Sequence, residues 1–311
     1  MRSVPAALVV GDTGLLGQAV VAALKASGRP VLGFSASAWD APPANLLHAV
    51  TDLSKDFRDV TKSIEGGRPS LVVNCAGLVD IAACQADPAL AARLNLELPR
   101  ALATACRKAD ARFVHVSTDQ VFDGRASAPY RESDAPRPVH EYGRTKFAGE
   151  RAALEADPAA LVLRTNIVGV RGRGKPTFGE WLCGALARGE AISLAEDFVT
   201  SSLFAGDLAQ ALLLAAADRG LAGLYHAASS EAASKYTFGR FVAEALGADF
   251  SRVKRVRLEE LKLTPPRPPY LGLNVERFEK EAAARLPGAR ESARALAAAY
   301  QHSQKGRATH V

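Results

Sequence analysis

The stretch Ala6-Ala7-Leu8-Val9-Val10-Gly11-Asp12-Thr13-Gly14-Leu15-Leu16-Gly17 decides the reading of this chain. Ala6–Val10 is an apolar run suited to a buried strand. Leu16, Val20, Val21 and Leu24 then recur at helical spacing across Leu15–Lys25. The triplet Gly11-x-x-Gly14-x-x-Gly17 therefore lies between a strand and a helix, the setting in which such a triplet carries meaning. Gly11 permits a tight turn, Gly14 lets the backbone approach a pyrophosphate, and Gly17 lets the helix lie close to the sheet. Helix N-terminal amides would face the negative charge. This predicts a dinucleotide site formed by Gly11, Thr13, Gly14, Leu15, Leu16 and Gly17, with a turn that binds nothing as the competing reading.

Working outward, short apolar runs at Val31–Phe34, Leu71–Val73, Phe113–Val116 and Leu161–Leu163 alternate with helical patterns at Pro88–Lys108 and Tyr142–Leu154. Such alternation predicts βαβ units, hence an α/β fold with a Rossmann-type, doubly wound parallel sheet. The second half is less regular. Phe178–Arg188, Asp207–Ala217 and Tyr236–Leu246 read as helices, the last capped by Ser234, and Leu224–His226 as a short strand. Pro265-Pro266-Arg267-Pro268-Pro269 cannot continue a helix and marks a rigid connector. The expected division is a cofactor-binding domain over 1–165, with 190–225 returning to it. A smaller, mostly C-terminal substrate-binding subdomain would cover 166–302, and 303–311 would be a frayed tail.

The chain has 311 residues, 48% of them apolar and 23% charged, an ordinary balance for a globular protein. No apolar run approaches the roughly 20 residues needed to span a bilayer. The opening residues run straight into the glycine turn and read as a first strand rather than a signal peptide, so a cytoplasmic location is expected. Cys75, Cys84, Cys106 and Cys183 lack C-x-x-C spacing and read as reduced thiols packed as small hydrophobes. The six His are scattered without ligand spacing, so no metal site is expected. The net charge of +6 gathers at Arg171, Arg173 and Lys175 and at Arg252, Lys254, Arg255 and Arg257. A solvated face or a diphosphate-bearing small molecule explains these clusters better than nucleic acid, for which no fold motif is present.

Tyr142 and Lys146 share one face of a predicted helix, so an ammonium can stand beside a phenol. That charge would favour the phenolate and bring a pKa near 10 toward the working range. With Ser117-Thr118-Asp119 upstream and the glycine turn before both, the order suits a dinucleotide-dependent carbonyl reductase. Cofactor choice is written after the second strand, where an acid would bond the ribose hydroxyls and exclude a 2′-phosphate. Here the turn is Phe34-Ser35-Ala36-Ser37, with no acid, which leans toward NADPH and leaves NADH open. Ser35 is expected at the cofactor, and Asp52 and Leu53 near its adenine.

Together these residues make the chain resemble the extended short-chain dehydrogenase/reductases, and within them the dTDP-4-dehydrorhamnose reductase-like group. The resemblance spans nearly the whole length. It rests on the glycine triplet, Val73-Asn74-Cys75-Ala76, Asn95, and Ser117-Thr118-Asp119-Gln120-Val121-Phe122-Asp123-Gly124. It continues through Tyr142-Gly143-x-x-Lys146-x-x-Gly149-Glu150, Leu163-Arg164-Thr165, Gly206-Asp207-Leu208-Ala209 and Gly223-Leu224-Tyr225-His226. It implies reduction of a 4-keto group on a nucleotide-linked deoxysugar. Thr118 would bond the substrate carbonyl, Tyr142 would donate the proton, and Lys146 would hold the nicotinamide ribose. Cys75, Ala76, Gly77 and Asn95 would join the cofactor site, Asn95 by supporting Lys146 through a water. Asp119, Gln120, Val121, Asn166 and Arg267 would line the substrate with Thr118. A homodimer is left open.

The chain departs from the group's pattern mainly around the substrate. Gln120 stands where Tyr is frequent, and Ile167 where Trp is common. Ser202-Leu203 replaces Pro-Thr, and Arg267-Pro268-Pro269-Tyr270-Leu271 replaces an Arg-Pro-x-Asn-Ser stretch. A Val-Asp-x-x-x-Glu pattern is read at Ile81–Gln85, with both carboxylates absent. These changes motivate a second reading, a non-catalytic NADP-binding subunit like the regulatory subunit of methionine adenosyltransferase. A same-fold sugar-nucleotide epimerase is a third. The full Thr118, Tyr142 and Lys146 set argues for the reductase, because a purely structural protein has no physical need of it.

Overall fold

The structure, a computed structural model, describes residues 6–44 and 46–308. The first six strands are β1 (Ala7–Val10), β2 (Val31–Ser35), β3 (Leu46–Val50), β4 (Leu71–Asn74), β5 (Arg112–Val116) and β6 (Leu161–Arg164). Four short ones follow: β7 (Asn166–Val168), β8 (Ile192–Ala195), β9 (Val199–Thr200) and β10 (Ser202–Phe204). Then β11 (Gly223–His226) completes a seven-stranded sheet of order β11-β6-β5-β4-β1-β2-β3, parallel at every pairing. The reversal of strand order between β1 and β4 is a topological switch point, where open α/β sheets bind ligands at their carboxyl ends.

Helices cover both faces: α1 (Leu15–Ala26), α2 (Arg58–Gly67), α3 (Ile81–Ala86), α4 (Pro88–Ala92), α5 (Leu98–Ala109) and α6 (Glu141–Ala156), then α7 (Phe178–Ala187) and α8 (Ala205–Ala217). Strand alternation sorts the core. In β1, Ala7 and Val9 pack with Val20 of α1 and with Leu208 and Leu212 of α8. Leu8 and Val10 point the other way, into Ile64 of α2 and Leu98 and Leu102 of α5. A strand buried on both faces needs a continuous apolar run, which β1 has.

The smaller part adds β12 (Ala233–Ser234), α9 (Lys235–Leu246), β13 (Val253–Val256), β14 (Tyr270–Leu271), α10 (Glu276–Glu281) and α11 (Ala289–Ala308). It has its own core, in which Leu182 and Leu186 of α7 meet Phe238 and Val242 of α9 and Leu296 of α11. Ser234 caps α9 by accepting from the Thr237 amide.

Several elements differ from the sequence reading. Pro88–Lys108 is not one helix: α4 leads through a π turn, Arg93–Glu97, into α5. Within 190–225, α8 and β11 join the large sheet, whereas β8 pairs with β13. The segment expected to fray continues α11 to Ala308, carried on from the alanine-rich first half of that helix; positions 309–311 lie outside the described residues. The strand β3 was not foreseen, since it is the sheet edge and leaves Leu47 and Val50 exposed. No helix among the described residues is long and apolar enough to cross a membrane.

Candidate active site

The glycine turn is as tight as its spacing demands. Gly11 has φ +82, and a Cβ there would stand 2.7 Å from the Ala76 amide nitrogen after β4. A Cβ on Gly17 would overlap the Gly11 carbonyl oxygen, so α1 can start this close to the sheet only with glycine. Asp12 turns inward beneath the loop, where its Oδ2 accepts from Trp39 Nε1 at 2.7 Å and contacts His48 Nδ1 at 2.8 Å. This contact fastens the turn to the far edge of the sheet.

A cavity of about 1200 Å³ opens from the switch point. Gly11, Thr13, Gly14, Leu15 and Leu16 line it, as do Ser35, Asp52, Leu53, Cys75, Ala76 and Gly77. Thr118, Asp119, Gln120, Tyr142, Lys146 and Asn166 complete the predicted set on its wall. Thr13 Oγ1 meets Ser35 Oγ at 3.0 Å and Ser37 Oγ at 3.1 Å, a hydroxyl cluster at the end of β2.

Four predicted residues stand elsewhere. Gly17 lies behind the turn as a packing position. Val121 is fully buried in the core. The Arg267 guanidinium folds back onto the Pro265 carbonyl. Asn95 sits in the π turn, fully buried, where Oδ1 accepts from the Leu78 amide at 2.9 Å and Nδ2 donates to the Leu78 carbonyl and to Thr145 Oγ1. It thus braces the loop after β4 against α6. The Val-Asp pattern also needs correcting. It falls at Val79-Asp80, so that acid is present as the cap of α3, and Cys84 stands at the Glu position.

Local chemistry fixes the central residues. β5 ends at Val116, and Thr118 then caps a 3-10 turn, Asp119–Val121, by accepting from the Gln120 amide. Asp119 is buried; its Oδ1 accepts from Thr118 Oγ1 at 3.1 Å and its Oδ2 from Asn166 Nδ2 at 2.7 Å. Burial pushes its carboxyl up to about 6, although hydrogen bonds from Asn166, Gln120 and Thr118 and the charge of Lys235 oppose this. At α6, His140 caps the helix: its Nδ1 accepts from the Gly143 amide, which leaves Nε2–H to donate to Gln120 Oε1 at 3.1 Å. Burial and the nearby Arg267 hold this imidazole down at about 4, so it is neutral.

Tyr142 and Lys146 follow on that helix. Lys146 Nζ donates to the Val116 carbonyl at 2.6 Å, and burial pulls it down to about 8 against the attraction of Glu150. The phenol departs from the sequence expectation. Burial raises Tyr142 well above the usual tyrosine range, with a Thr118 hydrogen bond as the opposing contribution. In a desolvated site the neutral form wins. Tyr142 therefore stays protonated at neutral pH, the state a proton donor requires.

The sequence reading missed the opposite wall. Trp181 and Phe178 of α7, Ser193–Ala195 of β8, Phe198, Lys235 of α9, Leu261 and Leu263 all line the cavity. None belongs to a local motif, and the smaller part's own folding carries them there.

A parallel α/β sheet with a glycine turn at its switch point, facing a Thr–Tyr–Lys set, defines an NAD(P)-dependent oxidoreductase of the extended short-chain dehydrogenase/reductase class. A family model described as the RmlD substrate binding domain matches residues 6–302. The chain belongs to that family. It is 34% identical over 300 residues to a probable low-salt glycan biosynthesis reductase of Haloferax volcanii, covering 94% of this chain and 98% of that one. It is also 34% identical to a dTDP-4-dehydrorhamnose reductase of Mycobacterium tuberculosis, over 86% of this chain and 84% of that one. A dTDP-4-dehydrorhamnose reductase of Bacillus anthracis, solved in complex with NADP, superposes with TM-score 0.82 at 22% identity, covering 94% of this chain and 98% of that one.

Proposed function

We propose that this protein is an NADPH-dependent reductase of a 4-keto group on a nucleotide-linked deoxysugar. Its curated relatives named as dTDP-4-dehydrorhamnose reductases and as a dTDP-4-keto-6-deoxy-D-glucose reductase support the reaction. The observation that carries the reading is the cavity wall bearing Thr118, Tyr142 and Lys146 beside the glycine turn.

The residues present fit the dinucleotide. Gly11 and Gly14 leave backbone where a Cβ would fill space, and the Thr13, Ser35 and Ser37 hydroxyls offer donors at the end of β2. That set accepts a 2′-phosphate and suits NADPH, while NADH remains admissible. When bound, the cofactor supplies hydride to the carbonyl carbon. The chain's own part is position and proton supply. Thr118 bonds and polarises the carbonyl oxygen, and Tyr142 donates a proton to it. Lys146 sets the ribose side and stabilises the phenolate left behind. We assign the sheet-bearing part of 1–165 to the cofactor and most of 166–302 to the substrate.

The test is oxidation of NADPH and NADH, followed at 340 nm, with dTDP-4-dehydrorhamnose and Tyr142→Phe as control. Turnover lost in the Phe variant, with dinucleotide binding kept, supports the reading. Full activity of the variant, or a wild-type chain that binds NADPH and reduces no keto-sugar nucleotide, rejects it.

A further inference from the structure

We infer that Lys235 holds the diphosphate of the nucleotide sugar, in the half of the cavity away from the glycine turn. The inference rests on the nucleotide-sugar reading above and goes beyond it by assigning a residue outside every motif.

Three cationic side chains line the cavity among the described residues: Lys146, Arg171 and Lys235. Lys146 is bound to the Val116 carbonyl beside Tyr142. The Arg171 guanidinium bonds the carbonyls of Arg173 and Lys175. Gln18 of α1 donates to both the Arg171 and Thr13 carbonyls, which ties Arg171 to the dinucleotide half. A diphosphate brings two negative charges that need a cation, and Lys235 is the one left on the substrate side.

Its setting suits an anion. Lys235 Nζ donates to Thr200 Oγ1 at 2.9 Å and Ser202 Oγ at 3.3 Å, and stands 4.8 Å from the Phe178 ring centroid and 5.4 Å from that of Phe198. Its hydrogen-bond partners are neutral hydroxyls; the Asp119 carboxylate attracts it through space, and no salt bridge joins the two among the described residues. A part-buried ammonium held by neutral hydroxyls, with Asp119 acting on it only through space, is better balanced by a bound anion. The route to the reacting centre is short. Ser202 Oγ donates to Asn166 Oδ1 at 2.8 Å, Asn166 Nδ2 donates to Asp119, and Asp119 accepts from Thr118. Trp181, its ring centroid 5.9 Å from that of Phe178, offers further flat apolar surface on the same wall for a base. Sugar at Thr118, diphosphate at Lys235 and base at the aromatic wall follow the order of the ligand itself.

The test titrates dTDP and thymidine into the NADPH-loaded protein by calorimetry, for wild type, Lys235→Met and Lys235→Arg. The expected result is at least a tenfold loss of dTDP affinity in the Met variant, with thymidine changed less than twofold. The Arg variant should stay within a few-fold of wild type. In turnover, KM for the sugar nucleotide should rise with kcat within about threefold. Unchanged dTDP affinity in Lys235→Met overturns the assignment alone. A wild-type chain that binds NADPH but neither dTDP nor UDP overturns the nucleotide-sugar reading and this inference with it. Should the Met variant fail to bind NADPH, a sign of misfolding, Lys235→Gln is read for the same dTDP-to-thymidine ratio.

Discussion

Lys146 Nζ donates to the Val116 carbonyl across 2.6 Å, and this bond ties α6 to the end of β5 two residues before Thr118. Tyr142 on the helix and Thr118 after the strand are thereby held in one register. Lys146→Met should therefore lower kcat by more than a hundredfold and also weaken NADPH binding, read by single-turnover kinetics and fluorescence titration. A variant with normal kcat and a raised KM would show that the bond matters for binding only.

Tyr142→Phe removes the proton and leaves the ring. General acids contribute about 10²–10⁴ in rate. The expected loss in kcat is of that size, with NADPH affinity within twofold. Because burial raises the phenol, its acid form should persist from pH 6 to 9, and a fall in activity near pH 8 would mark loss of the Lys146 proton instead.

Asp119 predicts a stability profile. Its folded value, about 6, exceeds the ordinary aspartate value of 3.8, so between about pH 4 and 6 the folded chain keeps a proton that the unfolded chain has lost. Stability from this group falls as pH rises through that window and is level above it. Urea midpoints of wild type and Asp119→Asn should diverge there, by on the order of 3 kcal/mol at two pKa units. Parallel profiles would contradict the shift.

Arg164 and Glu150 form a buried ion pair, with bonds of 2.9 and 2.8 Å, and Ser117 Oγ donates to the same carboxylate at 2.5 Å. Breaking one partner of such a pair costs about 3–5 kcal/mol. Arg164→Met should lose that much in chemical denaturation, and Glu150→Gln with Arg164→Met together less than the single change.

Gly17→Ala forces a Cβ into the Gly11 carbonyl. Overpacking of this kind costs about 1–3 kcal/mol. The relief available is movement of α1 away from the turn, so NADPH affinity should drop along with the melting temperature. A stable variant with full affinity would mean that the turn yields freely.

What was legible in the sequence was local. The glycine turn, Ser117–Gly124 and Tyr142–Lys146 each fall within a single stretch of chain, and their spacing translates directly into one turn or one helix face. Lys235, Trp181 and Phe198 were not legible, because only the packing of α7, α9 and β8 brings them to the cavity. Arg267 and Val121 were drawn in by their neighbours in sequence, and the fold directs one to a backbone carbonyl and the other to the core. The phenol shift was misread for a related reason: a charge four residues away is visible in sequence, whereas desolvation is a property of the whole enclosure.

The π turn at Arg93–Glu97 has a consequence for how this chain tolerates change. A π turn is an α-helix carrying one residue too many. Deleting any single residue there would restore ordinary helical pitch without breaking a helix. The flanking helices would keep their phase, because the wide turn already absorbs the extra residue, but the residues within it, Asn95 among them, would change direction. Asn95 could then no longer reach both Leu78 and Thr145. The segment is thus counted out to the residue: conservative substitutions can be absorbed, whereas a one-codon deletion that leaves helix content intact would unlatch the loop after β4 from the helix that bears Tyr142.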